Sequence, residues 1–299
     1  MSERAVCFPG ARQRERGGII FTMELLERET SLQELATALR DAAAGEGRVA
    51  LVSGEAGIGK TTLVERFTRE HRASSRVLWG ACDALFTPRP LGPLHDMAAQ
   101  IKGNLPTLLS SDANRTALFS AVLAELQTRP TIAVFEDVHW ADEATLDLLK
   151  FLGRRVTRTT ALIVLTYRDD ELGPQHPLRT VLGDMATSHA VRRVALSSLS
   201  EKAVRSLVGD RAIDPIALHR QTAGNPFFVT EVLSSAEGGL PATVRDAVLA
   251  RAARLSPSAP WPCCKPPPSS ARASSPGCFQ KSRARRRWPP RSAWRLACW

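Results

Sequence analysis

The stretch "EGRVALVSGEAGIGKTTLVERF", residues 46–67, changes its pattern twice within 22 positions. Residues 49–52 form a short, wholly apolar run, as expected of a strand covered on both faces. Residues 54–61 are glycine-rich. From there Leu63, Val64 and Phe67 fall on one side of a helical period. The turn between strand and helix satisfies G-x-x-x-x-G-K-[ST] in full, through Gly54, Glu55, Ala56, Gly57, Ile58, Gly59, Lys60 and Thr61, with Thr62 next. The chemistry needs these residue types. Glycines let backbone N–H groups close around an anion where a side chain would intrude. The helix start adds its positive dipole end. Lys60 is positioned to reach the β- and γ-phosphates of a nucleotide, and the Thr61 hydroxyl to ligate Mg²⁺. Residues 54–62 are therefore the expected phosphate cradle.

Further apolar runs recur along the chain: "RVLWG" at 76–80, "TIAVF" at 131–135, "ALIVLTY" at 161–167 and "RRVAL" at 192–196. Helical segments separate them, among them "ADEATLDLLKFLG" with Leu148, Leu149 and Leu152 on one face. Continuous apolar strands alternating with helices predict an α/β fold, a parallel sheet flanked by helices. Before it, "MELLERETSLQELATALRDAAA" (23–44) reads as one helix, with Leu32, Leu35 and Leu39 in line. After Ser200 the strands stop, and four helical segments follow, the last carrying Val244, Val248, Ala252 and Leu255. The expected organisation is a polar extension without order (1–22), a P-loop NTPase domain (23–199), a small helical lid (200–258) and a tail (259–299).

Two more strand ends carry charge. "TIAVFEDVHW" ends in Glu136-Asp137, and a carboxylate at the tip of a strand beside the glycine-rich loop can hold Mg²⁺ through water. Asp137 is assigned the metal and Glu136 the second acid, which orients the attacking water; the reverse order stays open. His139 and Trp140 are read as local packing. "LTYRDD" places Arg168 at the next tip, where it can contact a γ-phosphate.

The net charge of +10 suggests nucleic acid, but residues 261–299 hold nine Lys or Arg and no Asp or Glu, which leaves +1 for residues 1–260. Four of the six cysteines lie in the same tail, without the spacing of a zinc site. Cys82 reads as a small buried hydrophobe. A basic nucleic-acid arm would explain the arginines of "KSRARRRW", and a metal or redox tail the cysteines. Out-of-frame translation of a GC-rich strand accounts for the whole composition. GTG-GCC-CTG-CTG-CAA-GCC-GCC-GCC-GTC encodes a helical segment, and its shifted frame contains Trp-Pro-Cys-Cys-Lys-Pro-Pro-Pro, as at 261–268. That last origin is the expectation. The apolar runs are too short to span a bilayer and the N-terminus has no apolar signal segment, so a cytoplasmic chain without membrane contact is expected.

Seven segments occur in a telling order: "LLERETSLQEL", "GEAGIGKTTLVERF", "LGPLHDM", "FEDVHWADEATLDLL", "LTYRDDEL", "GNPFFVTEVL" and "LPATVRDAVLARAARLS". Over residues 23–258 the chain resembles the ATPase region of large ATP-binding LuxR-type regulators, a branch of the STAND class of AAA-like P-loop NTPases. The resemblance implies a switch that binds ATP or ADP with Mg²⁺ between sheet domain and lid and hydrolyses slowly. It places Lys60 and Thr61 in the Walker A element and Glu136 with Asp137 in Walker B. Arg168 becomes the sensor arginine, Pro226 the lid proline near the adenine, and Arg28 an entry-segment contact. The expected partners are the nucleotide and further copies of the chain. Such regulators carry a helix-turn-helix; none is recognisable here, which puts DNA binding by this polypeptide in doubt. A nucleic-acid-associated protein using the tail, or a gene fragment that keeps only its nucleotide pocket, are the alternatives.

Overall fold

A computed structural model describes residues 25–85, 87–101, 105–110 and 114–234 of the chain. The expected extension (1–22), the helix expected over 241–255 and the basic tail lie outside these residues.

Among the described residues five strands form one sheet: β1 (Arg48–Ser53), β2 (Arg76–Ala81), β3 (Thr131–Glu136), β4 (Ala161–Tyr167) and β5 (Val191–Ala195), in the order β2-β3-β4-β1-β5. All four pairings are parallel. Each apolar run read from the sequence is one of these strands. β3, which carries the acidic pair, is not the neighbour of β1; β4 lies between them. Ser53 is level with both Tyr167 and Ala195, so the C-terminal strand ends share one edge, where open α/β sheets bind ligands.

Side-chain alternation divides the apolar strands between two cores. Val49, Leu51, Ala133, Phe135, Ile163 and Leu165 face one side, under α3 (Gly92–Ala98), α5 (Arg115–Gln127), α6 (Glu143–Gly153) and α7 (Pro177–Met185), with the short α4 (Leu105–Ser110) beside them. Ala50, Val52, Ile132, Val134, Leu162 and Val164 face α1 (Glu29–Ala43) and α2 (Lys60–His71). Burial on both faces explains why β1, β3 and β4 read as nearly unbroken hydrophobic runs, whereas β5, at the sheet edge, exposes Arg192 and Arg193. Phe67 and Leu148 are fully buried, on opposite sides of the sheet. No described helix is long and apolar enough to cross a membrane.

After β5 come α8 (Glu201–Val208), α9 (Pro215–Thr222) and α10 (Pro226–Ser234). They enclose a third, smaller core of Val204, Val208, Leu218, Phe228, Val229 and Val232, against which Leu26 also packs. α8 and α9 begin on side-chain caps from Ser200 and Asp214.

The first helix departs from its expected limits. It starts at Glu29, not at residue 23, because the residues before it are recruited elsewhere. Glu27 sits at φ 58°, with its carboxylate on the Ser200 backbone N–H (2.9 Å) and hydroxyl. Those two bonds hold its pKa below the usual carboxylate value. Arg28 is buried under the loops that follow β1 and β5. These long-range contacts override a locally helical pattern.

Candidate nucleotide-binding site

The loop between β1 and α2 crosses the sheet edge on glycines. Gly54 (φ 146°), Gly57 (φ 73°) and Gly59 (φ 96°) all occupy the region that favours glycine. At Gly57 space forbids anything larger as well: a Cβ would lie 2.8 Å from the Cβ of Phe227. Lys60, the first residue of α2, is 7% exposed. Its ammonium donates to the carbonyls of Gly54 (2.8 Å) and Glu55 (2.9 Å), so it folds back over the loop. Burial pulls the Lys60 pKa down, and the nearby Asp137 carboxylate opposes that shift.

The acidic pair closes the other side. Glu136 ends β3 and accepts two bonds: from the Thr61 hydroxyl on Oε1 and from the Trp79 indole Nε1 (3.0 Å) on Oε2. Asp137 takes a left-handed conformation (φ 53°, ψ 45°), and its N–H donates to Thr166 Oγ1 of β4 at 2.9 Å. That turn sends its side chain to the cavity that Lys60, Thr61 and Arg168 also line. Burial raises the Asp137 pKa, and Arg168 opposes the rise. The Thr61 hydroxyl thus meets Glu136, while Asp137, to which the sequence assigned the metal, lines the same cavity. The reason is the left-handed residue at the strand end, which takes Asp137 out of line with β3.

Arg168 follows β4, bonds Glu171 (2.7 Å), and lies with its guanidinium 4.8 Å from the Trp140 ring centroid. His139 stacks on Trp140 with centroids 4.5 Å apart. Its ring nitrogens are 3.9 Å from Asp137 Oδ1 and 3.5 Å from Glu171 Oε2, and neither has a hydrogen-bond partner. Burial pushes its pKa down to about 4, so the imidazole is neutral at pH 7.

A cavity of about 340 Å³ opens over the loop. Gly57 to Thr62 form one wall, while Leu26, Leu199, Leu207, Pro226 and Phe227 form an apolar end. Of the other expected residues, Pro226 lines this end. Gly54 and Glu55 hold Lys60 from below, and Ala56 turns its carbonyl to Asn225. Arg28 lines the cavity too, but its donors go to backbone: Ser197 O (2.8 Å), Glu27 O (3.0 Å) and Ile58 O (3.3 Å). Its visible work is to tie the glycine loop to the end of β5.

Three contacts escaped the sequence reading: Trp79 on Glu136, Glu171 on Arg168, and Asn225 with Phe227 on the loop. Asn225 carried one signal, an Asn directly before a Pro that starts a helix, which is a capping pattern. What it reaches beyond the cap was not legible. Cys82 is buried with its thiol pKa pushed up to about 12, as suits a packed sulfur.

A parallel five-stranded sheet with flanking helices, and a glycine loop of this kind between its first strand and helix, define a P-loop NTPase-like fold. Residues 24–165 match the family model described as the AAA ATPase domain. The chain is 25% identical over 257 residues to an uncharacterized protein of Rhizobium meliloti (strain 1021), a match covering 70% of this chain and 24% of that protein. The chain thus spans about a quarter of that relative's length. Among solved structures it is similar to Cdc6p from Pyrobaculum aerophilum, with a TM-score of 0.49 and 15% identity, covering 70% of this chain and 61% of that one. It is also similar to a STAND protein with a tetratricopeptide repeat sensor from Pyrococcus horikoshii, with a TM-score of 0.45 and 18% identity, covering 73% and 32%.

Proposed function

We propose that this chain binds ATP and ADP between the glycine loop and α8–α10 and works as a slowly hydrolysing switch, the nucleotide-binding part of a LuxR-type regulator. The observation that carries the reading is the loop itself: left-handed glycines, Lys60 folded over it and Thr61 against the carboxylate of Glu136. The AAA ATPase domain match over residues 24–165 supports nucleotide as the ligand. The order of the seven segments supports the regulator.

In this reading the loop amides and the start of α2 hold the phosphates. Lys60 exchanges its carbonyl partners for phosphate oxygens, to which a buried cation binds more strongly. A threonine hydroxyl beside a carboxylate is a hard-oxygen donor pair that suits Mg²⁺, so Thr61 and Glu136 are the residues that would hold it. The ion would neutralise phosphate charge there. Asp137 orients the attacking water in this reading, which its position at the cavity wall and its raised pKa support. Arg168 reaches a γ-phosphate by leaving Glu171. The apolar end at Leu26, Leu207, Pro226 and Phe227 takes the base.

Thermal-shift titration of the chain with ATP and ADP, with and without Mg²⁺, tests the reading. Stabilisation by nucleotide that disappears in Lys60→Ala is expected. A wild-type chain whose midpoint no nucleotide moves would overturn it.

A further inference from the structure

The outward face of the glycine loop is taken by the helices that follow the sheet. Asn225 is fully buried at the start of α10 and uses both ends of one amide. Its Oδ1 accepts the N–H of Phe227 (3.1 Å), capping the helix, while Nδ2 donates to the carbonyl of Ala56 (2.9 Å). The Phe227 N–H is also 3.2 Å from the carbonyl of Gly57. Two successive carbonyls of the loop are thus held by the first turn of α10. The contact is close, since a Cβ on Gly57 would meet both Phe227 (2.8 Å) and Asn225 Oδ1 (3.0 Å).

The peptide joining Ala56 to Gly57 is trans, as are all described peptides, so its N–H points opposite to its carbonyl. Holding the carbonyl fixes where the N–H points. We infer that Asn225 is a positioning residue: by clasping Ala56 O it aims the Gly57 N–H into the phosphate cradle, and it makes the attachment of α10 respond to the ligand. The coupling is reciprocal. A phosphate that fixes the peptide from the N–H side steadies the clasp, and a steadier clasp slows the ligand's release. Asn225 does not line the cavity, so this link runs through the loop backbone and not through contact with the nucleotide.

The inference rests on the nucleotide reading above, and its test separates the two. Asn225→Ser and Asn225→Asp both keep an acceptor for the Phe227 N–H. Serine is too short to reach Ala56, and aspartate has no donor. The full chain is followed by release of mant-ADP and by hydrogen exchange over residues 226–234, with and without ADP. Both variants are expected to keep the wild-type circular dichroism and to release mant-ADP about tenfold faster, the scale of one buried hydrogen bond. ADP is expected to protect 226–234 in the wild type and not in the variants. Wild-type release rates and wild-type protection in both variants would overturn the clasp. So would a wild type that binds mant-ADP with no protection gained over 226–234, a result that needs no variant. A wild type that binds no mant-ADP would instead overturn the nucleotide reading. The clasp is then judged without ligand, by exchange over 226–234: faster in the variants sustains it, and unchanged sinks it.

Discussion

The Thr61 hydroxyl donates to Glu136 and not to Asp137, although the two acids are adjacent in the chain. Glu136 is held from its other oxygen by the Trp79 indole on β2, while Asp137 turns away through a left-handed residue and is bonded through its N–H to Thr166. Two neighbouring carboxylates are thereby set in different places, which lets them do different work.

If Glu136 with Thr61 is the Mg²⁺ site, Glu136→Gln should remove the extra stabilisation that Mg²⁺ adds to ATP in a thermal-shift titration. Asp137→Asn should keep that increment and lower ATP turnover about a hundredfold, as for loss of a general base. Loss of the Mg²⁺ increment in Asp137→Asn, with Glu136→Gln unaffected, would restore the opposite allocation.

The Trp79 indole donates one hydrogen bond to the Glu136 carboxylate. Trp79→Phe keeps a ring on β2 and removes the donor, so it should cost about 1 kcal/mol, or a midpoint fall of about 3 °C. The Mg²⁺ increment should weaken in step, because Glu136 loses its restraint. An unchanged Mg²⁺ titration curve would show that the bond does not position Glu136.

His139 gives a pH dependence whose sign can be worked out. Its pKa is about 4 in the folded chain against an ordinary value of 6.5, so between these values the unfolded chain binds more protons. Stability is then fully present above pH 6.5 and is lost as pH falls towards 4, by on the order of 3 kcal/mol for the full shift. Burial opposes the charged ring most, with Arg168, Lys60 and His176 adding to it, whereas Glu171 favours it. Urea unfolding of the wild type and His139→Phe at pH 7 and pH 5 checks this: the variant should lose less stability over that interval. An equal loss would assign the acid sensitivity elsewhere.

Arg28 donates to the carbonyls of both Ile58 and Ser197 from a buried position, and lysine has no fork to serve two acceptors. Arg28→Lys should cost about 2 kcal/mol in urea unfolding, since a buried carbonyl is left without its donor. ATP affinity, measured at a temperature where the variant stays folded, should change by less than about threefold. A loss of affinity well beyond that, at unchanged stability, would return Arg28 to direct nucleotide contact.

Much of the fold was legible because its signals are local. The central strands β1, β3 and β4 are buried on both faces and so must be apolar at nearly every position, and the runs at 49–52, 76–80, 131–135, 161–167 and 192–196 are found within β1 to β5 or overlap them closely. The start of α1 was misplaced because Glu27 and Arg28 bond to Ser200 and Ser197, some 170 residues away, and no window around residue 25 contains that information.

By itself, then, the sequence determined the α/β pattern and the glycine loop, and it named Lys60, Thr61, Asp137, Arg168 and Pro226, which line one cavity. Backbone conformations that only glycine tolerates and strands that only apolar side chains can fill leave their mark residue by residue. The tertiary structure alone decided who meets whom. It put β4 between β1 and β3, brought Thr61 to Glu136 by turning Asp137 out of line, and seated Asn225 on Ala56. Those pairings depend on strand order, on one left-handed residue and on where a later helix packs. Each is settled by contacts between segments that are far apart in the chain.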